Sequence, residues 1–496
     1  MQTLHDLFRS RGSRLAVVDL RTGASIDYEA LANRVVRIGM WLSGRGLSRG
    51  DAVIQRLPNS LEALCFLLAC LDRGLACAPL SAQATEAEAR LWAGLTGARL
   101  AVLSRWQSDA AADAFAEIMP VTRIETDGVF GWLPEVGEAG GTGDGQLLIR
   151  TSGSTGDPKV VVQTAAALRS CAAAFARQTG AFEGDTRILA AAPMCRLSGL
   201  FNVGLLPLEA GATVVIGGEV AAQSPAKLWH DIARAEADLI WLAPSTLRTL
   251  ARAKPLRPLR AVLAGMAPLS PDEKAAFAAH VGAPVYENYG LSETLFLTAA
   301  GTGAPDAGGV GQPLPGVELM LKPPVEAAEG WAAGDGASAE ICVRTPFLFA
   351  GYRQADGALA APTLDADAAF RTGDLGRRAP DGALRVDGRL KAMLKRGPEP
   401  VFLPEIEALS RTIPGVGDAA AVPMTHRPYV ESYTLLIRPR GDGDPKTLAD
   451  KVRLALAGRI ERDAWPDDIR VVDDDFPLLP GGKPDYQALK AALARL

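Results

Sequence analysis

The stretch that decides the fold is QLLIRTSGSTGDPK at residues 146–159. An apolar strand candidate, Gln146–Arg150, runs into a loop of glycines and small hydroxyl residues. In such a loop backbone N–H groups approach a phosphate chain closely, hydroxyl groups add donors, and a lysine adds positive charge. The loop therefore predicts a phosphate cradle. Its candidate residues are Thr151, Ser152, Gly153, Ser154, Thr155, Gly156 and Lys159.

Two better-known loop types do not account for this segment. The Walker pattern GxxxxGK[ST] is absent, and Gly153-Ser154-Thr155-Gly156 lacks the GxSxG spacing of a hydrolase nucleophile elbow. On composition alone, a surface loop without a ligand is an equally good interpretation.

Outside this loop, short β-branched runs alternate with stretches of helical period such as Tyr28–Gly44, Thr164–Gly180 and Pro225–Ala235. This alternation predicts α/β layers with largely parallel sheets. The strand candidates are Leu15–Leu20, Ala52–Leu57, Arg99–Leu103, Gln146–Arg150, Arg187–Ala191, Thr213–Ile216, Leu239–Leu242 and Arg260–Leu263.

The 496 residues exceed one ordinary core, since domains mostly run to about 100–200 residues. After Asp381-Gly382 the pattern changes to a short strand, Ala383–Val386, and then to mixed helix and strand. We therefore predict a large N-terminal domain of layered α/β subdomains at residues 1–386. A small C-terminal α+β domain is predicted at residues 387–496.

Composition and charge argue against several classes of partner. The formal net charge is −5 and the basic residues are scattered, so no basic stripe is available for nucleic acid or an anionic membrane. The most apolar run, Leu61–Leu71, carries Glu62 and is too short to cross a bilayer. The first residues, MQTLHDLFRSRGSRL, lack the apolar core of a signal peptide. We expect a cytoplasmic protein that binds no nucleic acid and does not insert into membranes.

The 6 cysteines and 4 histidines give little support to a metal site or a histidine-based triad. The cysteines have irregular spacings without a CxxC pair, which predicts reduced and mostly buried thiols. No histidine neighbours a nucleophile signature. The chemistry is therefore expected to come from other residue types.

The loop TSGSTGDPK resembles the phosphate loop of the adenylate-forming superfamily, which contains acyl-CoA synthetases, luciferases and the adenylation domains of nonribosomal peptide synthetases. Further segments match in the family's order and near its spacing, so the resemblance covers essentially the whole chain. It implies the acyl-CoA synthetase-like fold, in which the small C-terminal domain is mobile.

Glu287–Thr294 (ENYGLSET) is similar to the family's NYGxTE block. The match implies that Tyr289 stacks on adenine, Ser292 bonds a phosphate oxygen, and Glu293 is a ligand for the Mg²⁺ that ATP brings. The preceding Leu263–Ser270 (LAGMAPLS) resembles a Gly-Gly-Ala-Pro-Leu segment bordering adenine and the acyl pocket. The other nucleotide-binding candidates in these two blocks are Gly265, Ala267, Glu287, Asn288 and Gly290.

Two later segments extend the resemblance. Phe370–Leu375 (FRTGDL) resembles the YRTGDL block, which implies that Asp374 accepts hydrogen bonds from both ribose hydroxyls. Asp387–Lys395 (DGRLKAMLK) is similar to the family's hinge segment. By this alignment, Arg389 reaches ribose or phosphate, Lys391 occupies the hinge position, and Lys395 lies near the nucleotide.

Phe476–Asp485 (FPLLPGGKPD) is similar to the LPxTPxGKxD ending of these enzymes. A lysine on such a Gly-Gly-Lys loop can place its ammonium between a carboxylate oxygen and the α-phosphate, where charge stabilisation is typically the largest catalytic term. Lys483 is therefore the candidate catalytic residue. An exposed lysine before a C-terminal helix is the alternative.

The resemblance implies a two-step ligase that uses ATP and Mg²⁺. A small carboxylic acid attacks the α-phosphorus of ATP, giving an acyl-adenylate and pyrophosphate, and the acyl group then passes to a thiol. In the family the small domain rotates between the two steps. The acceptor is CoA or the phosphopantetheine of an acyl carrier protein, because Gly397-Pro398 stand where CoA-using relatives commonly have Lys-Gly.

A second departure from the family concerns the acyl pocket, where we expect Arg196, Trp241 and Met266. Pro193–Leu200 reads PMCRLSGL in place of a segment resembling PLFHxxGL, so Arg196 replaces a histidine. A buried arginine needs an anion, which is either an acidic group of the substrate or an acidic side chain of the protein. Amino-acid-activating relatives hold the α-ammonium group with an aspartate near this region, and 193–202 contains none, so the resemblance implies a substrate without an α-amino group.

Two other functions remain as alternatives. The first is a catalytically silent nucleotide-binding or scaffold protein on the same fold, which intact Glu293, Asp374 and Lys483 argue against. The second is an amidase-like serine hydrolase using the Ser/Gly-rich loop, which leaves Asp374 and Lys483 without a role.

Overall fold

The protein is described from a computed structural model. The residues that the structure describes are 2–133, 141–152, 158–219, 223–267, 269–301, 309–324, 338–354, 356–379, 381–390, 393–396, 399–427, 430–441, 445–457, 459–460, 464–478 and 484–493.

The helices follow one another along the chain, with a π-helix, Ser198–Leu205, between the sixth and seventh α-helices. They are α1 (Leu4–Arg9), α2 (Tyr28–Ser43), α3 (Leu61–Arg73), α4 (Glu86–Thr96), α5 (Asp109–Ala116), α6 (Ala165–Thr179), α7 (Leu206–Ala210), α8 (Pro225–Arg234), α9 (Pro244–Leu250), α10 (Pro271–Val281), α11 (Leu403–Arg411), α12 (Pro445–Ala457) and α13 (Tyr486–Leu493).

The strands alternate with these helices up to residue 299 and then follow one another more closely. They are β1 (Leu15–Asp19), β2 (Ser25–Asp27), β3 (Ala52–Arg56), β4 (Ala76–Pro79), β5 (Leu100–Ser104), β6 (Val121–Ile124), β7 (Gln146–Ser152), β8 (Pro158–Thr164), β9 (Arg187–Ala190), β10 (Thr213–Ile216), β11 (Leu239–Leu242), β12 (Ala261–Ala264), β13 (Val285–Leu291), β14 (Leu295–Ala299), β15 (Gln312–Pro313), β16 (Glu318–Lys322), β17 (Ala339–Arg344), β18 (Gly351–Arg353), β19 (Leu359–Ala360), β20 (Phe370–Arg378), β21 (Leu384–Arg389), β22 (Met393–Arg396), β23 (Glu399–Phe402), β24 (Val416–Arg427), β25 (Val430–Pro439) and β26 (Asp468–Val471).

The chain folds into two compact units. The first contains Met1–Asp306, Val310–Glu318 and Arg344–Phe370, and the second contains the rest of the chain. Residues 371–386 thus pack with the second unit, although the sequence analysis placed them in the N-terminal domain. The predicted domain boundary between residues 386 and 387 stays a prediction.

The first unit contains a sheet in the order β15-β14-β13-β12-β11-β9-β10-β1-β2. Its neighbours from β13 to β1 pair in parallel, and β2, β14 and β15 pair antiparallel at the two sides. The central strands are buried at nearly every position, as in β11, where all of LIWL is buried. Strands covered on both faces have this composition, so the predicted parallel α/β sheet is confirmed.

The second sheet of this unit has the order β19-β18-β8-β7-β4-β3-β5-β6. Here β7 and β8 form an antiparallel hairpin whose ladder runs from the pair Gln146 and Thr164 to the pair Ser152 and Pro158. The phosphate-loop segment therefore joins two strands of one sheet. The sequence analysis assigned no strand between this loop and α6, although the β-branched run 160–162 favours one.

The apolar run Leu61–Leu71 belongs to α3, which is buried along almost its whole length. Complete burial explains why this helix is apolar on every side. Glu62 is also buried there, and its Oε1 accepts a hydrogen bond of 2.6 Å from the backbone N–H of Gly128. Among the described residues, no helix has both the length and the apolar composition that crossing a membrane requires.

The second unit contains the sheet β16-β17-β20-β21, the hairpin β22-β23 and the sheet β24-β25-β26. Helices α11 and α12 pack on the last sheet through a shared apolar cluster that includes Ile406, Val452 and Tyr433. The second unit therefore has the mixed helix and strand structure that was predicted for the small C-terminal domain.

All six cysteines are free, and five of them are buried while Cys195 is partly exposed. Burial raises the pKa of the thiols of Cys65, Cys171 and Cys195, which keeps them protonated. The prediction of reduced and mostly buried thiols is confirmed.

Candidate active site

Four neighbouring strands, β9, β11, β12 and β13, bring most of the predicted acyl and adenine residues to one edge of the first sheet. Trp241 lies on β11, Gly265 and Met266 follow β12, and Asn288 lies on β13. Arg196 lies in the turn between β9 and the π-helix. Because these strands are parallel, their carboxyl ends share an edge, which is where open α/β sheets bind ligands.

The backbone at this edge is tightly constrained. A Cβ atom on Gly265 would lie 2.4 Å from Oδ1 of Asn288 and 3.2 Å from its carbonyl oxygen, so a larger residue would displace the Asn288 side chain. The next residue, Met266, has a φ of 75°, a left-handed conformation that is uncommon for residues other than glycine. Its side chain is 38% exposed. Strained, exposed apolar residues of this kind concentrate at functional sites, and no sequence pattern around Met266 signals the strain.

Two buried donors on one face of the sheet have no acceptor among the residues that the structure describes. Nε1 of Trp241 and Nδ2 of Asn288 lack a hydrogen-bond partner within the described part of the chain. Trp241 pairs with Leu263, and Leu263 pairs with Tyr286, which is two residues before Asn288, so strand alternation places these side chains on the same face. Buried polar groups nearly always have partners, so this pair indicates a ligand that supplies them.

Arg196 is half-buried and forms no ion pair with any acidic side chain that the structure describes. The charges of Glu219 and Arg196 both act on the pKa of Cys195, so both lie near that thiol. The pKa of Glu219 itself is raised by burial, and Arg196 is not among the causes of that shift. The interpretation that a protein carboxylate pairs with Arg196 thus finds no support among these residues.

Asn59 fixes the backbone of the turn that carries Arg196. Its Nδ2 donates to the Ala192 carbonyl at 2.9 Å, and its Oδ1 accepts from the Met194 N–H at 2.8 Å. A Cβ atom on Gly199 would lie 2.2 Å from the Pro193 carbonyl oxygen, so the backbone at Gly199 packs directly against the start of this turn. Asn59 was missed in the sequence, since nothing in its local pattern connects it with residues 192–194.

The carboxylate of Glu287 forms a buried ion pair with Lys274, at 3.1 Å between Nζ and Oε2. Helix α10 begins at a capping box formed by Ser270 and Glu273. The capping box fixes the start of the helix and therefore the position of Lys274, which is the residue after Glu273. The Glu287 carboxylate thus joins α10 to β13. A role for Glu287 in nucleotide binding remains a prediction.

The turn between β13 and β14 carries Ser292 and Glu293. Oη of Tyr352 donates to Oε1 of Glu293 at 3.0 Å, and the Phe349 N–H donates to the Glu293 carbonyl at 2.7 Å. Nε2 of Gln163 donates to the Ser292 carbonyl at 2.7 Å. The hairpin also needs Gly290, because a Cβ there would lie 2.0 Å from the Leu295 carbonyl oxygen.

The phosphate-loop flank lies beside this turn. Thr151 and Lys159 are partners at the end of the β7–β8 ladder, next to Ser152 and Pro158. Nζ of Lys159 lies 4.8 Å from the ring centroid of Tyr352, so one tyrosine contacts both the loop lysine and Glu293. Burial, followed by the negative charge of Glu293, raises the Tyr352 pKa and keeps its hydroxyl a donor.

The structure thus places Lys159, Ser292 and Glu293 together within the first unit. Tyr289 lies on β13, and Ala267 follows Met266 at the exposed edge. Several predicted residues lie outside the described ones or have side chains outside them. They are Gly153, Ser154, Thr155, Gly156, Lys391 and Lys483, together with the side chains of Ser152 and Lys395.

In the second unit, the two ribose candidates are partners across β20 and β21. Nε of Arg389 lies 3.1 Å from Oδ1 of the buried Asp374. Asp374 lies within β20, a strand that is not among those predicted from the sequence. The turn before it is fixed by Thr372, whose hydroxyl donates to the Ile341 carbonyl at 2.7 Å. Glu340 also contributes, accepting from the Gly373 N–H at 3.3 Å.

The described residues contain no cluster of three or more metal-ligating side chains. Mg²⁺ in nucleotide sites is usually bound by one or two carboxylates and by the phosphates themselves, so a single glutamate is an adequate protein ligand. Glu293 fits this role, because the second oxygen of its carboxylate has no partner within the described ranges.

Comparison with known proteins agrees with this geometry. The family model for AMP-binding enzymes matches residues 6–353. An indoleacetate–CoA ligase of Aromatoleum aromaticum is 29% identical over 95% of this chain and 94% of its own. A sulfoacetate–CoA ligase of Cupriavidus necator is 28% identical over 81% and 80%.

Among solved structures, ATP-bound MatB from Rhodopseudomonas palustris superposes with a TM-score of 0.85 at 25% identity, covering 98% of both chains. The family model covers more than two thirds of the sequence and includes the phosphate-loop hairpin and the Glu293 turn. The chain therefore belongs to the AMP-binding enzymes of the adenylate-forming superfamily.

Proposed function

We propose that this AMP-forming acid–thiol ligase activates a small carboxylic acid that carries a second anionic group and no α-amino group. The acid is first converted to an acyl-adenylate with release of pyrophosphate, and the acyl group then passes to a thiol. The free cysteines fit a reducing compartment, and we place the reaction in the cytoplasm.

The observation that carries the choice of acid is Arg196, a half-buried cation without a described acidic partner. Trp241 and Asn288 add two buried donors at the same edge of the sheet, and neither has an acceptor in the described part of the chain. Leaving a buried donor unpaired costs about 1–3 kcal/mol, so an acid with extra oxygen acceptors gains affinity by satisfying them. The sulfonate of sulfoacetate, named in one relative, is a group of this kind.

The first chemical step needs positioning and charge stabilisation rather than a side-chain nucleophile. We assign the triphosphate to the loop from Thr151 to Lys159 with Ser292, and the adenine to Tyr289. Asp374 and Arg389 bind the ribose. Lys483 stabilises the transition state between the carboxylate and the α-phosphate. Mg²⁺, which Glu293 would hold, neutralises part of the triphosphate charge.

Pyrophosphate exchange into ATP tests the first step. The purified protein is offered monocarboxylic, dicarboxylic, sulfonated and amino acids, and exchange should be fastest with an acid that has a second anion and no amino group. Arg196→Met should lower kcat/KM for that acid by about 10–100-fold, because a hydrogen bond to a charged group contributes about 1.5–3 kcal/mol. Its activity on monocarboxylic acids should remain.

Arg187→Met is the matched control, since Arg187 lies at the other end of β9 and pairs with Glu236 at 2.8 Å. An Arg196→Met enzyme with an unchanged preference between acid classes would remove the anion from the proposal. Absence of exchange with every acid would contradict the ligase activity itself.

The acceptor is a separate question, because Gly397-Pro398 lie outside the described residues. We propose CoA as the first candidate and the phosphopantetheine of a carrier protein as the second. Incubating the preformed adenylate with each thiol and measuring the thioester by mass spectrometry distinguishes them.

A further inference from the structure

Tyr352 joins two groups that the proposed activity uses separately. It lies on β18, which pairs antiparallel with β8 and places Tyr352 opposite Val161. Lys159, Val161 and Gln163 alternate onto one face of β8, and Gln163 reaches the turn that carries Glu293. The tyrosine therefore lies where the phosphate-loop strand meets the metal-binding turn.

The ring of Tyr352 is held from two sides. Phe349 packs edge-on against it, with 4.7 Å between the ring centroids. Lys159 places its ammonium over the ring at 4.8 Å from the centroid. Phe349 also donates its backbone N–H to the Glu293 carbonyl. Phe349 therefore contacts both the Tyr352 ring and the turn that carries Glu293. A tyrosine fixed in this way has little freedom to turn its hydroxyl from the carboxylate.

The hydroxyl fixes one oxygen of the Glu293 carboxylate, with 3.0 Å between Oη and Oε1. Glu293 belongs to the half-buried part of the turn. A free glutamate side chain loses rotamer freedom when it binds a ligand, and that loss weakens binding. A side chain already oriented by a hydrogen bond has less freedom to lose, which is the general advantage of an ordered supporting residue around a metal ligand.

We propose that Tyr352 is a positioning residue for the metal–triphosphate site, whose hydroxyl orients Glu293 so that its second oxygen faces Mg²⁺. This inference rests on the proposed ATP-dependent function. It assigns Tyr352 no contact with the reacting atoms. A purely structural role would make the hydroxyl matter for stability and not for the response to metal.

Calorimetric titration of ATP into the full-length protein, in EDTA and again with Mg²⁺, separates these roles without a carboxylic acid. In the wild type, Mg²⁺ should tighten ATP binding. Tyr352→Phe keeps the ring and removes the hydroxyl. It should bind ATP in EDTA within twofold of wild type, while the tightening by Mg²⁺ falls by about 5–10-fold, less than the full value of a hydrogen bond to a charged group because the hydroxyl acts through Glu293.

The matched control is Tyr28→Phe, which removes a buried hydroxyl that donates to the Ala212 carbonyl at 2.7 Å elsewhere in the same unit. It should change thermal stability and leave the Mg²⁺ response unchanged. In a double-mutant cycle, Tyr352→Phe should have no further effect on the Mg²⁺ response once Glu293 is glutamine, because the tyrosine acts through that carboxylate.

Equal Mg²⁺ responses in Tyr352→Phe and wild type would overturn the proposal. Equal weakening of ATP binding in EDTA and in Mg²⁺ would also overturn it, because that result marks a structural hydroxyl. Failure of the proposed function looks different, since the wild type would then give no pyrophosphate exchange, whether or not it binds ATP.

Discussion

Replacing Lys274 by methionine should destabilise the first unit by about 3–5 kcal/mol, the usual cost of removing one partner of a buried ion pair. Nζ of Lys274 lies 3.1 Å from Oε2 of Glu287, and the two side chains are only 5% and 9% exposed. At that distance the attraction is about 5 kcal/mol for an effective dielectric constant of about 20. The variant retains the buried carboxylate and loses the Lys274 cation, so less of the cost of desolvating Glu287 is offset.

Urea unfolding followed by tryptophan fluorescence measures this loss, because Trp229 belongs to the same apolar cluster as Phe277 and Val281 of α10. The double variant Lys274→Met, Glu287→Met should recover most of the stability, since an apolar pair of similar volume replaces the ions. Lys254→Met is the control at an exposed position and should stay within about 0.5 kcal/mol of wild type.

Two results would refute this reasoning. The first is a loss below about 1 kcal/mol in Lys274→Met, which is the range of exposed ion pairs. The second is a double variant no more stable than the single one, which would mean that the buried charge of Glu287 is not the source of the loss.

Three further outcomes are expected. Burial raises the pKa of Glu62, so its contribution to stability is full below the unfolded-state pKa of about 4.3 and is lost as the pH rises through the higher folded-state pKa. Glu62→Gln should therefore gain stability relative to wild type as the pH rises from 4.5 to 8, measured as urea midpoints, and a constant difference would contradict this. Met266→Gly should change the free energy of unfolding by less than about 1 kcal/mol, because relief of left-handed strain offsets the greater freedom of an unfolded glycine. Met266→Val should cost more in the same urea titration, and equal effects of the two changes would argue against strain at this position. Lys483→Ala should slow pyrophosphate exchange by about 10²–10³-fold with nucleotide binding retained, and an unchanged rate in the folded variant would remove Lys483 from its role.

The sheets of the first unit could be predicted because their strands are short β-branched runs separated by helical periods. The strand candidates Leu239–Leu242 and Thr213–Ile216 match β11 and β10 residue for residue. The polar end of β13 was less apparent, since Glu287–Leu291 reads as a turn and is held as a strand by its antiparallel partner β14. Tertiary pairing there overrides local preference.

The candidate site likewise contains residues that the sequence could indicate and residues that it could not. Glu293, Asp374 and Arg389 could be proposed from the sequence because each lies in a segment that resembles a family motif. Tyr352, Lys274 and Asn59 were not found, because each acts on a residue 13 to 135 positions away along the chain and has no local signature. Membership in the AMP-binding family removes the serine hydrolase alternative. Pyrophosphate exchange distinguishes the ligase from a silent nucleotide-binding protein.

The hairpin β7–β8 has a consequence for how this enzyme can evolve. Its ladder fixes the register of both arms up to the pair Ser152 and Pro158, so substitutions at the tip can change what the loop binds without moving the sheet. An insertion of one residue within β8 is different, because a one-residue shift moves every following side chain to the opposite face. Lys159 and Gln163 could then no longer share a face, so lineages should keep the length of each arm constant.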